Sequence, residues 1–376
     1  MKKKKFNEIV NSKFFDNEPN ELLSWFYCRK FPLQKESLAL SKSYIFICNK
    51  MTKFDRFLIS RTIISDFVFL KDSVVLEIKN GTLSKKDASE LFSAIKKLRE
   101  NDISIAILPE ETVSIFGKTH DLNTNLTSFL FDTGLDLKFM NFAGAYYSYP
   151  IWAPKQRKCE TYFHQQKNIS HESLVGYNAD EINNIINSSK LSSASVYADK
   201  YPINIVSNNL ASGIERIIYA CPSCKELFSL YSEYGCLKCK SCLNAIEFSA
   251  NGDILFSSSI TKFDDIEDFL FNTLSTRGID KNELICYENI IRCELNENHV
   301  VKEKSTCSFR IFSDRIEIES DGKVEKYSFS TIQEILLDYE NTVFVKLPKN
   351  KTLVFRGKNN ENFYILCDLD KLNLKE

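Results

Sequence analysis

The 376-residue sequence predicts a mixed α/β domain with flanking helices, then a small zinc ribbon and a C-terminal mostly-β domain. Three observations carry that reading. Short apolar runs alternate with helical patterns between about residues 44 and 150, five cysteines crowd into residues 221–242, and period-two alternation dominates after about residue 262. Strands that alternate with helices imply a sheet whose sites form at the C-terminal ends of its strands. The chain is too long for one ordinary core and suits two or three domains. The expected divisions are 1–40 (an amphipathic helical segment), 41–215 (the α/β domain), 216–258 (the ribbon) and 259–376 (the β-rich domain).

Each element follows from its local pattern. Residues 1–35 read as helical, with Leu22, Leu23, Trp25, Phe26 and Tyr27 beside charged residues. Such a face suits a membrane surface and equally suits packing on the domain. YIFIC (44–48) is strand-like, RFLISRTII (56–64) helical and DFVFLKDSVVLEI (66–78) extended. DASELFSAIKKLREN (87–101) is a helix with Leu91, Ile95 and Leu98 on one face. ISIAILPEE (103–111) and LKFMNFAGAYYSYP (137–150) are strands, and ADEINNIINSS (179–189) is helical within a polar stretch that completes the first domain. Beyond the cysteines, SFRIFSDRIEIES, KVEKYSFSTIQEILLDY, TVFVKLP and KTLVFRG alternate around turn signals. They suggest a small antiparallel sheet or barrel, of pleckstrin-like or similar kind, with NFYILCDLDKL (362–372) as the segment that would close it.

Bulk properties exclude some classes. Hydrophobic content of 43% and charged content of 26% are those of a folded soluble chain. The net charge of −1 argues against wholesale electrostatic capture by nucleic acid. No apolar run reaches the ~18–20 residues a spanning helix needs. The basic start MKKKKF lacks the apolar region of a secretory signal. The expectation is a cytoplasmic protein, with peripheral contact at the inner membrane face as the variant that the N-terminal segment allows.

The cysteine cluster carries the most specific chemistry. Cys221-Pro-Ser-Cys224 and Cys239-Lys-Ser-Cys242 are two CxxC knuckles separated by residues 225–238. Clustering of this kind, without a secretory signal, favours a metal over disulfides. Four thiolates from two tight turns give Zn²⁺ a tetrahedral sulfur shell with bonds of ~2.3 Å and no open position, hence a structural role. Arg216–Tyr219 and Ala245–Phe248 are the expected flanking strands. Cys236 is a fifth candidate, since Cys236/Cys239 could form the second pair. Lys225, Lys238 and Lys240 make only a thin basic patch, so nucleic acid is disfavoured. The four histidines fall in no catalytic pattern, and no GxSxG, P-loop or GxGxxG occurs.

Three ordered blocks resemble the bacterial 1-acyl-glycerol-3-phosphate (lysophosphatidic acid) acyltransferase family, in its zinc-ribbon-containing branch. The family's N-H-x-x-x-x-D lines up with Asn49-Lys50-Met-Thr-Lys-Phe-Asp55. Its F-P-E-G-[TN]-R-S lines up with Leu108-Pro109-Glu110-Glu111-Thr112-Val113-Ser114, and its trailing G-x-T with Gly117-Lys-Thr119. A later G-x-Y…P-x-W-A lines up with Gly144-Ala-Tyr146…Pro150-Ile-Trp152-Ala153. The resemblance implies an acyltransferase-like α/β domain in which a histidine, oriented by the aspartate, deprotonates an acceptor hydroxyl that attacks an acyl thioester. It places Lys50 and Asp55 at the catalytic positions. Glu110, Glu111, Thr112 and Ser114 then stand in the phosphate-binding loop, and Lys79 at the upstream arginine. Acyl carrier protein or coenzyme A thioesters and a lysophospholipid are the implied substrates.

The departures fall on those functions. The base position holds Lys50, and a lysine must lose ~3 pKa units, worth ~4 kcal/mol, to act as a base near pH 7. Glu111 replaces the loop glycine, and Val113 replaces the arginine that would grip phosphate through two parallel hydrogen bonds. The expectation is therefore an acyltransferase scaffold whose standard chemistry is lost or redirected. An active transferase on another hydroxyl or amine is the alternative, and a ribbon that binds nucleic acid or a partner is a distant third. The sequence gives no sign of oligomeric state.

Overall fold

The run YIFIC becomes a central strand because it is covered on both faces. In the computed structural model Ile45 and Ile47 enter one apolar core while Phe46 and Cys48 enter another. This period-two division recurs along the sheet, and it explains why buried strands read as unbroken apolar runs. The structure describes residues 12–17, 33–34, 38, 40–110, 112–119, 121–189, 201–256, 259–262, 266–276, 283–295, 301–338, 341–349, 351–357 and 361–373. The N-terminal helix expected around Leu22, Leu23, Trp25 and Phe26 lies outside the described residues, as does Glu111. The chain divides into two compact units, residues 1–150 with 157–205, and residues 151–156 with 206–376.

The first unit is a mixed sheet of seven described strands: β1 (Phe15–Asp16), β2 (Leu33–Gln34), β3 (Tyr44–Cys48), β4 (Phe67–Leu70), β5 (Ser104–Ile107), β6 (Asp136–Ala143) and β7 (Thr161–Ile169). Their order is β1-β4-β5-β3-β6-β7-β2. Strand β3 runs parallel to both β5 and β6, and β7 returns antiparallel to β6. The loops after β3 and β5 therefore leave neighbouring strands at the same end of the sheet, as a strand-end site requires. One face is packed by helices α2 (Asp72–Asn80), α3 (Lys85–Glu100), α4 (Thr124–Asp132) and α5 (Ala179–Asn187). The other is packed by α1 (Asp55–Thr62) through Leu58 and Ile59. Asn178 and Glu181 form a reciprocal capping box at the start of α5, and Ser84 caps α3 through the Asp87 amide.

One expectation is corrected here. Only Phe67–Leu70 of the stretch read as extended is a strand, and Asp72–Asn80 is helical. Its β-branched residues suggested a strand, but Val74, Val75 and Ile78 fall on one helical face and are buried. Gly81, at φ 67°, then ends the helix in the left-handed region.

The second unit holds two antiparallel sheets. The first is five-stranded: β8 (Leu230–Glu233), β9 (Cys236–Cys239), β10 (Ala245–Phe248), β11 (Asp253–Phe256) and β12 (Ser259–Lys262). The second has strands β13 (Glu283–Leu295), β14 (Val301–Phe312), β15 (Arg315–Ser320), β16 (Lys323–Ser328), β17 (Glu334–Asp338), β18 (Thr342–Leu347) and β19 (Lys351–Arg356), in the order β16-β15-β14-β13-β19-β18-β17. Helices α6 (Ile266–Thr276) and α7 (Tyr364–Asn373) complete it. Two further expectations change. Arg216–Tyr219 is not a strand, a short 3-10 turn occupying Ile214–Arg216 instead. The final segment, expected to close the barrel, is a helix that buries Tyr364, Ile365, Leu366 and Leu369. Among the described residues no helix is long and apolar enough to cross a membrane.

Candidate functional site

The loop after β3 is held by its own side chains. The buried Asp55 carboxylate accepts the Met51 and Thr52 amides at 2.6 and 2.7 Å and the Thr52 hydroxyl at 3.3 Å. Asp55 opens α1, where a carboxylate also suits the helix dipole. Burial pushes its carboxyl up to about 7, against the pull of those amides, and nearby Glu110 adds to the rise. Burial likewise holds the Cys48 thiol well above its usual range.

The loop after β5 is sewn to this one at Lys50. The Lys50 amide donates to Glu110 Oε2 at 2.9 Å, and the Lys50 carbonyl accepts the Ser114 amide at 3.0 Å. Ser114 Oγ turns back to the Lys118 carbonyl at 2.5 Å. Thr112 is half-buried, Val113 is buried, and the Tyr146 hydroxyl donates to the Ile115 carbonyl at 2.7 Å. The structure thus brings Lys50, Asp55, Glu110 and Ser114 together through loop geometry. Lys79 sits in the last turn of α2, its carbonyl accepting from Asn123 and Asn125. That is seven residues beyond Asp72, or ~10 Å along the helix.

The Lys50 ammonium meets a partner that sequence reasoning missed. Lys50 Nζ lies 3.0 Å from Asp72 Oδ2, while Arg56 Nη2 takes Asp72 Oδ1 at 2.7 Å and Arg56 Nη1 takes Asp16 Oδ2 at 2.9 Å. Burial alone would raise the Asp72 carboxyl, but the Lys50 and Arg56 charges outweigh it and hold Asp72 below the usual carboxylate range. The signal was present in the sequence: Lys71-Asp72 directly follows the apolar run FVFL. Reading that stretch as one long strand hid it.

The cysteine knuckles converge more completely. The sulfurs of Cys221, Cys224, Cys239 and Cys242 all lie within 4.8 Å of one another. Sγ–Sγ separations are 3.7 Å for both Cys221–Cys242 and Cys224–Cys239. A tetrahedron with ~2.3 Å zinc–sulfur bonds has edges of ~3.8 Å, so the sulfur cage fits zinc. The two turns repeat one hydrogen-bond pattern. The Lys225 amide donates to the Cys221 carbonyl and the Leu243 amide to the Cys239 carbonyl, at 2.8 and 3.0 Å. The Cys221 and Cys239 amides donate to the Glu226 and Asn244 carbonyls at 2.9 and 3.0 Å. Lys225 and Leu243 adopt left-handed backbones, φ 65° and 61°, each costing about 1–2 kcal/mol for a residue with a side chain. Amides of Ser241 and Cys242 point at Cys239 Sγ at 3.3 and 3.5 Å. Cys236 lies on β9, opposite Glu233 and Glu247, outside the four-sulfur group.

No protein-family model matches the sequence, and no curated protein matches it. Among solved structures, the 1-acyl-sn-glycerophosphate (LPA) acyltransferase PlsC from Thermotoga maritima is 16% identical over 45% of this chain and 75% of that chain, with a TM-score of 0.33. The inner membrane complex sub-compartment protein ISP3 from Toxoplasma gondii is 15% identical over 23% of this chain and 73% of that chain, with a TM-score of 0.19. The C-terminal domain of an unknown protein from Leishmania infantum is 14% identical over 26% of this chain and 84% of that chain, with a TM-score of 0.16. At these identities and TM-scores the matches carry no functional assignment.

Proposed function

We propose that the chain is an acyltransferase-like scaffold, related to the lysophosphatidate acyltransferases of phospholipid biosynthesis, in which the standard catalysis is lost or redirected. The observation that carries this reading is the 3.0 Å ion pair between Lys50 and Asp72. A general base must be open to the acceptor hydroxyl, and here Lys50 Nζ is engaged by Asp72, a carboxylate that Arg56 also holds. Asp55, the group that would orient a base, directs its carboxylate to the Met51 and Thr52 amides. Val113 is buried where the family's phosphate-gripping arginine would stand. The scaffold then serves to bind a lipid, an acyl carrier or a partner.

Cys221, Cys224, Cys239 and Cys242 hold one structural zinc ion, which fastens the two knuckles and does no chemistry. A second reading, an active transferase on a different acceptor, draws support from the joined loops at Lys50, Glu110 and Ser114. Assay of acyl transfer from acyl-coenzyme A and acyl carrier protein to lysophosphatidate separates the two. The proposal expects no turnover. Robust turnover that disappears in both Lys50→Ala and Asp55→Asn would establish the second reading.

A further inference from the structure

We infer that the four-cysteine centre and the C-terminal helix α7 are coupled through the Tyr219–Asp368 hydrogen bond, so that loss of the metal releases α7. The inference rests on the zinc reading of the cysteines. Tyr219 precedes Cys221 by two residues and is fully buried. Its backbone belongs to the first knuckle, where its carbonyl accepts the Phe228 amide at 2.7 Å and Ala220 bridges Leu227. Its hydroxyl reaches across 149 residues of sequence to donate to Asp368 Oδ2 at 2.7 Å, and its ring stacks on Tyr364. Asp368 is wholly buried, with Lys371 Nζ 3.7 Å from its other oxygen. A buried carboxylate that loses a donor must find water or another partner. For a residue in the middle of α7, that means displacing the helix.

Two parallel links reinforce the path. Asn362, just ahead of α7, donates its side-chain amide to the Glu215 carbonyl at 2.9 Å, and its backbone amide to the Tyr287 hydroxyl at 2.9 Å. Lys225, the left-handed residue of the first knuckle, places its ammonium 4.1 Å from the Phe269 ring centre on α6. Helix α6 is tied to α7 through Glu267, whose Oε1 accepts Lys371 Nζ at 3.1 Å. Without metal, only the backbone hydrogen bonds of the turns hold Lys225 and Leu243 in the left-handed region, and the first knuckle loses the cross-link that fixes Tyr219. The knuckle, the phenol and the helix then move as one cooperative element. Coupling of this kind is reciprocal: the factor by which bound metal favours the Tyr219–Asp368 bond is the factor by which that bond favours metal binding.

The test measures zinc content and amide exchange on the same full-length sample, before and after chelation. The expected result is about one zinc per chain. Chelation then speeds exchange about tenfold or more at residues 219–245 and in Tyr364–Asn373, while Arg315–Ser320 is unchanged. Tyr219→Phe, which keeps the ring, should lower zinc affinity about five- to tenfold. A zinc-loaded protein whose α7 exchange ignores chelation overturns the coupling while leaving the metal reading intact. Exchange rising equally at Arg315–Ser320 also overturns it, because the unit would be collapsing without a specific path. A sample that purifies without zinc defeats the metal reading itself. The chelation experiment needs no variant, so poor folding of Tyr219→Phe would leave the test in force.

Discussion

The knuckles around Cys221 and Cys239 and the strand-end loops around Lys50 and Glu110 each gather a motif, with opposite results. In the knuckles, backbone amides and carbonyls close the turns and the four sulfurs sit at the spacing a metal needs, the Ser241 and Cys242 amides pointing at Cys239 Sγ as they would at a metal-bound thiolate. In the loops, the side chains do the holding: Asp55 caps its own turn, Glu110 accepts the Lys50 amide, and Lys50 pairs with Asp72. A polar group that holds a loop in place is not available to a substrate. The difference teaches that proximity of motif residues is weaker evidence for chemistry than what their polar atoms are already bonded to.

Several substitutions would break or sharpen that contrast. The largest effect belongs to Cys239→Ser, which removes a ligand from a centre of a kind worth ~10–16 kcal/mol in small zinc domains. We expect zinc to be lost and amide protection to vanish across Leu230–Phe248, read by metal analysis and hydrogen exchange. Next is Asp55→Ala, which strands the buried Met51 and Thr52 amides and should cost about 1–3 kcal/mol per amide left unpaired. Exchange in Tyr44–Cys48 and α1 would report it, and an unchanged stability would mean that Asp55 does not hold the loop.

Asp72→Asn should cost no more than about 1 kcal/mol, because the side chain is partly exposed, and the cost should shrink in high salt. Asp72 has a depressed carboxyl. Its contribution is therefore present above the unfolded value of about 4 and lost as pH falls through the folded value, so the wild-type advantage over Asp72→Asn should fade on acidification. Smallest of all is Cys236→Ser, which should leave zinc stoichiometry untouched. A fall in zinc there would return Cys236 to the ligand set.

How much could be read from the sequence depended on range. CxxC spacing closes within a turn, so the cysteine cage was legible before any fold was known. Only Cys236 needed geometry to place it. The central strands were legible for a similar reason, since Tyr44–Cys48 and Ser104–Ile107 are apolar runs with helices on either side. Asp72–Asn80 was misread because β-branched Val74, Val75 and Ile78 favour strands until a helical face is needed against the sheet. Helix α6 and the helical C-terminus were missed because an otherwise β-patterned region hid their apolar spacing. The Lys50–Asp72–Arg56–Asp16 network joins β1, α1 and α2 with the loop after β3. No local pattern announces contacts of that range.

The Asp55 carboxylate holds its loop, yet its charge is a burden to the fold. The folded carboxyl is raised to about 7 against about 4 unfolded. Its stabilising protonation is thus complete below about pH 4 and lost as pH rises through 7. The direct measurement is the opening free energy of the Tyr44–Cys48 amides from pH 5 to 8, in wild type and in Asp55→Asn, which keeps an oxygen for both amides. The account predicts that wild-type stability falls across this range while the variant's profile is flat, with the variant at least as stable at pH 8. A variant that loses more than about 1 kcal/mol at pH 8 with an unaltered pH profile would contradict it.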